Sequence, residues 1–158
     1  MKAVVQRVKR ARVMVEGQVK GSIGNGLLVY LGVSKSDTEK DADWLADKII
    51  NLRIFSDEND KMNLSIDQII TTETGLEKGI LVISQFTLLG DCIKGRRPFF
   101  GEAADPEIAQ NLYEYFINKI KQQNINCEAG VFQAKMEVES INAGPVTILL
   151  DTAVLSNT

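Results

Sequence analysis

Two unbroken apolar runs restrict the architecture of this chain more than any other feature: Leu27-Leu28-Val29-Tyr30-Leu31 and Ile80-Leu81-Val82-Ile83. Neither alternates with polar residues, which suits strands covered on both faces rather than on one. A third run, Val146-Thr147-Ile148-Leu149-Leu150, closes the sequence in the same manner. Strands covered on both faces need layers above and below them. The remaining segments must therefore supply those layers.

They read as a mixture of hairpins and helices. Val13 and Val15 alternate with Arg12 and Met14, Gly17 marks a turn, and Val19 to Ile23 begins a return strand. Gly24-Asn25-Gly26 reads as a tight turn into the first apolar run. Ser36-Asp37-Thr38-Glu39 has a capping-box pattern and opens a helix carrying Ala42, Leu45, Ala46, Ile49 and Leu52 at helical spacing. A short Arg53-Ile54-Phe55 segment and a polar turn, Ser56 to Asp60, follow. Asp105-Pro106-Glu107 places a cap, a first-turn proline and an acid ahead of a second helix bearing Ile108, Leu112, Tyr115, Phe116 and Ile120. Lys135 to Glu139 alternates with period two, and the Val146 run forms a separate last strand. Two helices against about seven strands predict a layered α/β architecture with a mixed sheet. No linker or repeat divides residues 1–158, so one domain is expected, its last few residues a flexible tail.

Function is bounded by what is missing. The chain has no histidine, which removes Ser-His and Cys-His nucleophile pairs, histidine general bases and His-containing zinc sites. Cys92 and Cys127 form no CxxC, so no metal site is expected; two free thiols, packed as small apolar groups, fit a reducing cytoplasm. The first residues lack the apolar core of a secretory signal, and no apolar stretch approaches the ~20 residues that span a bilayer. The net charge of −3 argues against a bulk polyanion binder. Yet six of the 18 basic residues fall in the first twenty positions, and Lys94, Arg96 and Arg97 form a second small cluster.

Three segments invite a chemical reading. Ser84-Gln85-Phe86-Thr87-Leu88 ends a buried strand in hydrogen-bonding residues, either as a satisfied strand end or as the wall of a cleft at the carboxyl end of that strand. In Asn142-Ala143-Gly144-Pro145-Val146-Thr147 the proline cannot donate to a sheet ladder, so it begins the last strand or sits in a turn. It serves as a simple turn or as a backbone wedge offered to a ligand or another subunit. Lys94-Gly95-Arg96-Arg97-Pro98-Phe99-Phe100 suits either RNA contact or rings packed into the core.

Together with Gln6-Arg7-Val8, Leu31-Gly32-Val33, Arg53-Ile54-Phe55, Lys61-Met62-Asn63 and Gly130-Val131-Phe132 with Met136, these segments resemble the D-aminoacyl-tRNA deacylase family of the bacterial and eukaryotic type, over residues 1 to 151. The resemblance implies a three-layer β/β/α sandwich with mixed sheets and two main helices. It further implies a cytoplasmic homodimer with clefts at the subunit interface and no cofactor. The reaction implied is hydrolysis of the ester joining a D-amino acid, or glycine, to the 3′-terminal ribose of tRNA, a chiral proofreading of translation. Ser84, Gln85, Phe86 and Thr87 would supply the reacting wall, through backbone oxyanion donors or the Thr87 hydroxyl. Gly144 and Pro145, as a Gly-cis-Pro motif, would enter the partner's cleft, with Asn142, Met136 and Phe132 also binding substrate. Arg7, Lys94, Arg96 and Arg97 would contact tRNA. Attack by Thr87 competes with water activated by the ribose 2′-hydroxyl, and the second asks least of a chain without histidine. The alternative is a nucleic-acid-binding module of the same fold without hydrolysis. The chain departs from the family pattern at Phe99, where a small polar residue is expected, at Cys92, and in a longer Thr71 to Gly79 loop.

Overall fold

The apolar runs become the central strands of a six-stranded mixed sheet. The computed structural model describes residues 1–70 and 75–157, with side chains through 154. Residues 71–74, within the loop expected to be long, and Thr158, the end of the expected tail, lie outside the described residues. In chain order the elements are β1 (Lys2–Val15), β2 (Gln18–Ile23), β3 (Gly26–Gly32), α1 (Glu39–Ile50), β4 (Phe55–Ser56), β5 (Met62–Leu64), β6 (Gly79–Ser84), α2 (Pro106–Lys121), β7 (Cys127–Ala129) and β8 (Glu137–Asp151). Short 3-10 turns cover Phe86–Leu89 and Thr152–Asn157.

The sheet runs β2-β1-β3-β6-β7, with β8 on the free side of β1 and β4–β5 as a separate hairpin. β3, β6 and β7 are parallel, and α1 and α2 lie in the crossovers that parallel pairing requires. β3 and β6 are apolar without alternation because each feeds two cores. Leu27, Val29, Leu31, Ile80 and Val82 pack toward the helices with Leu45, Ile49, Phe116 and Ile120. Leu28, Leu81 and Ile83 face the other way, onto Val8, Ala11, Val13 and Ile23. Helices, central strands, and a second β layer made by β2 and the distal half of β1 give the expected three-layer β/β/α arrangement.

One strand serves both β layers by changing face. Ala3 and Val5 of β1 belong to the helix-side core, whereas Val8, Ala11 and Val13 belong to the other. Strict alternation would put Ala3, Val5, Ala11 and Val13 on one face and Val8 alone on the other. Instead the ladder with β8 slips between Gln6 and Val8 and again between Val8 and Arg10. Bulges of this kind rotate a strand's buried face, and here they fall where β8 carries Gly144 and Pro145.

Three expectations need correction. The capping box is displaced by two residues: Thr38 is the N-cap, and the Asp41 carboxylate accepts its backbone N–H at 2.9 Å. Asp37 instead binds the Met1 amino group and the Ser34 N–H. On α2, Ile108 is exposed and Tyr113 is the buried tyrosine, while Tyr115 sits at the edge between helices and donates to Asp43 at 3.0 Å. The segments read as two C-terminal strands form one, β8, antiparallel to β1 along its length. The Asn-Ala-Gly-Pro segment bulges out of that strand and leaves it unbroken.

Candidate active site

At the carboxyl end of β6 the chain rounds the rim of a cleft of about 770 Å3. Ser84, Gln85 and Phe86 form one wall; Phe132 and Met136, from the β7–β8 connection, form part of the other. Short side chains, among them Ala103, Ala104 and Ala109, leave space between them. Beneath the wall lies Tyr113. Its phenol donates to the Val82 carbonyl at 2.8 Å, and the Gly130 N–H reaches the same oxygen at 3.0 Å. Helix α2, β6 and the opposite wall are thus tied to one carbonyl two residues before Ser84. Burial holds the Tyr113 phenol well above its usual range, so it acts as a donor and not as a base.

The wall presents backbone donors. The Gln85 N–H bonds the Leu31 carbonyl at 2.8 Å, completing the β3–β6 ladder. The first hydrogen bond of the following turn runs from the Leu88 N–H to the Gln85 carbonyl, at 3.2 Å. The N–H groups of Phe86 and Thr87 precede that bond, so the turn itself supplies them no acceptor. The exposed Thr87 hydroxyl accepts from the Gln85 side-chain amide. That leaves it without a base; the chain has no histidine to offer one. Cys127 lies outside the cleft, and burial pushes its thiol up to about 12, so it is a packing group. Cys92 is exposed, against the expectation of a small buried group. Among the described residues no group of three His, Cys, Asp or Glu side chains is placed to hold a metal ion.

Asn142, Gly144 and Pro145 do not line the cleft of their own chain. The Gly144–Pro145 peptide is cis and Gly144 has φ +118°, a region where side chains are strained. The segment is braced from both sides. Across its neck the Asn142 side chain donates to the Thr147 hydroxyl (3.2 Å) and accepts from the Val146 N–H (3.3 Å). From beneath, the Arg7 guanidinium donates to the carbonyls of Ala143 (3.0 Å) and Ile54 (2.5 Å). Arg7, expected to contact tRNA, is held by these two carbonyls, one in the β8 bulge and one just ahead of β4. Gly144 and Pro145 themselves are exposed.

Lys94, Arg96 and Arg97 are exposed on the loop that leaves the Phe86–Leu89 turn and returns through Ala103 and Ala104 at the cleft. The paired phenylalanines divide: Phe100 packs edge-on against Phe86, with centroids 5.1 Å apart, whereas Phe99 faces solvent. Sequence reasoning missed Tyr113 and the three alanines. A shift of the helical face by one residue would have revealed Tyr113, since 109, 113, 116 and 120 also recur at helical spacing.

Fold and cleft define a class: a three-layer β/β/α protein whose site is built at the end of a central strand, with backbone donors in its wall. Comparison narrows this. The family described as D-Tyr-tRNA(Tyr) deacylase matches residues 4–151. D-aminoacyl-tRNA deacylases of Thermosipho africanus and Geobacter sulfurreducens are 55% and 52% identical over 152 residues, 96% of this chain and 97% and 95% of theirs. A solved structure, the c-Myc DNA Unwinding Element Binding Protein, superposes with a TM-score of 0.84 at 39% identity, covering 96% of this chain and 98% of that one. The chain belongs to the D-Tyr-tRNA(Tyr) deacylase family.

Proposed function

We propose that this chain hydrolyses D-aminoacyl-tRNA, and glycyl-tRNA, at an ester held in the Ser84–Phe86 cleft, and so proofreads the chirality of translation. The observation that carries this reading is a wall of free backbone N–H groups in a chain of a deacylase family with no side-chain base beside it. An aminoacyl ester is already activated, so orientation and oxyanion stabilisation supply most of what the reaction needs. In the proposed step the ribose 2′-hydroxyl assists a water molecule, whose oxygen bonds the acyl carbon. The Phe86 and Thr87 N–H groups hold the developing oxyanion. The bond from acyl carbon to the 3′-oxygen then breaks, the 3′-oxygen takes a proton, and free amino acid and tRNA leave. The partner is tRNA in the cytoplasm, and among the described residues no helix is long and apolar enough to cross a membrane.

Chiral selection is assigned to Gly144 and Pro145 of a second copy. β8 pairs with β1 on one side only, and Leu149 (78% exposed) and Ile141 (42%) lie along it uncovered. A long uncovered edge strand invites pairing with another chain. A homodimer formed there would carry the braced, exposed segment toward the neighbouring cleft, where fixed backbone atoms reject an L side chain by clash.

Subunit mixing tests this. Arg7→Ala frees the segment and is expected to admit L-aminoacyl-tRNA. Adding excess Phe86→Pro subunits, whose own clefts are inactive but whose Gly144–Pro145 segment is intact, is expected to suppress L cleavage while D cleavage persists. L cleavage that ignores the excess would place selection within each subunit. Hydrolysis is preferred to nucleic-acid binding alone because the chain belongs to a deacylase family and its cleft is walled by backbone donors.

A further inference from the structure

Phe99 combines features that the hydrolytic reading leaves unused. It is 69% exposed, yet it is held in place. Its backbone N–H and carbonyl both bond Asp91 at 2.8 Å, closing the basic loop at its base. Its ring lies on the backbone of Gly101, where an added Cβ would stand 2.2 Å from the Phe99 Cε1. One edge of the ring therefore rests against Gly101, and most of the ring is left to solvent. Adjacent residues in extended chain point to opposite sides, so the inward packing of Phe100 on Phe86 fixes Phe99 outward. Within the same loop Lys94, Arg96 and Arg97 are exposed, and among the described residues none has an acidic partner. A lone exposed phenylalanine needs no explanation. A rigid aromatic face beside three unpaired cations, on a loop anchored at the cleft rim, matches what single-stranded RNA requires: a ring for a base and charges for phosphates.

We propose, resting on the deacylase reading, that Phe99 is a stacking platform for an unpaired base of the tRNA 3′ strand just before the aminoacylated adenosine, with Lys94, Arg96 and Arg97 on the adjoining phosphates.

The test uses an RNA hairpin ending in the tRNA 3′ sequence, its terminal amino acid attached by a non-hydrolysable amide, with 2-aminopurine replacing the base before the adenosine. The wild-type dimer and Phe99→Trp are expected to quench the probe by stacking, and Phe99→Ser to lose the quench. On D-aminoacyl-tRNA, Phe99→Ser is expected to raise the half-saturating concentration about five- to tenfold, the lower end of base–aromatic stacking, with the plateau rate unchanged. On D-aminoacyl-adenosine, which lacks the stacked base, the two proteins are expected to match. A quench equal in wild type and Phe99→Ser, or absent from wild type, overturns the platform, as does an equal loss on both substrates. Failure of the wild type to cleave either substrate overturns the deacylase reading instead, and the quench still reports stacking.

Discussion

Replacing Phe86 by proline is expected to slow single-turnover hydrolysis of D-aminoacyl-tRNA by about 10²–10³-fold, the usual cost of removing one oxyanion donor. Proline deletes the backbone N–H and is tolerated at the first position of a helical turn, and Gln85 before it lies outside the helical region that a following proline disfavours, at φ −145° and ψ 76°. The substitution also removes the ring that meets Phe100. Phe86→Ala removes the same ring but keeps the N–H, so the difference between the two variants isolates the donor. A fall of less than tenfold, or an equal fall in both, would show that this N–H does not hold the oxyanion. Thr87→Ala should retain most of the rate; near-complete loss would restore the hydroxyl as nucleophile.

The second large effect lies away from the chemistry. The α-ammonium of Met1 is fully buried, with Asp37 Oδ1 at 2.5 Å and the Thr152 hydroxyl also in contact. Asp37 is 6% exposed, and its other oxygen accepts the Ser34 N–H. Asp37→Ala would leave the buried ammonium only the more distant Asp41 carboxylate as counter-charge, at a cost approaching the about 3–5 kcal/mol of a broken buried pair. A urea titration should show a lower midpoint at an unchanged slope. A loss below about 1 kcal/mol would mean that water or another group reaches the amine. Ser34 bridges to Ala103 at the cleft, so the variant should also loosen the rim that holds the substrate.

What was legible in the sequence follows from where a residue's surroundings are local. β3 and β6 were readable because burial on both faces removes polar residues, and that absence is visible in four or five consecutive positions. The start of α2 was readable because proline and its cap act within one turn. The cap of α1 was misplaced because three overlapping Ser/Thr-x-x-acid patterns compete there, and Asp37 was drawn away by Met1, a partner 36 residues distant. The bonds of Arg7 were not legible for a similar reason: the Ala143 and Ile54 carbonyls it serves are 136 and 47 residues distant. Of the candidate site, the Ser84–Thr87 wall and the Gly144–Pro145 segment were legible as local irregularities. The cleft's volume was not, since alanines that leave space carry no signal in a chain of ordinary composition.

Chiral hydrolysis is tested most directly by incubating D-Tyr-tRNA and L-Tyr-tRNA separately with the purified protein under single-turnover conditions and following ester loss over time. Rapid loss from the D ester with the L ester spared at its spontaneous rate is the predicted result. Loss from neither, or from both at similar rates, would contradict it.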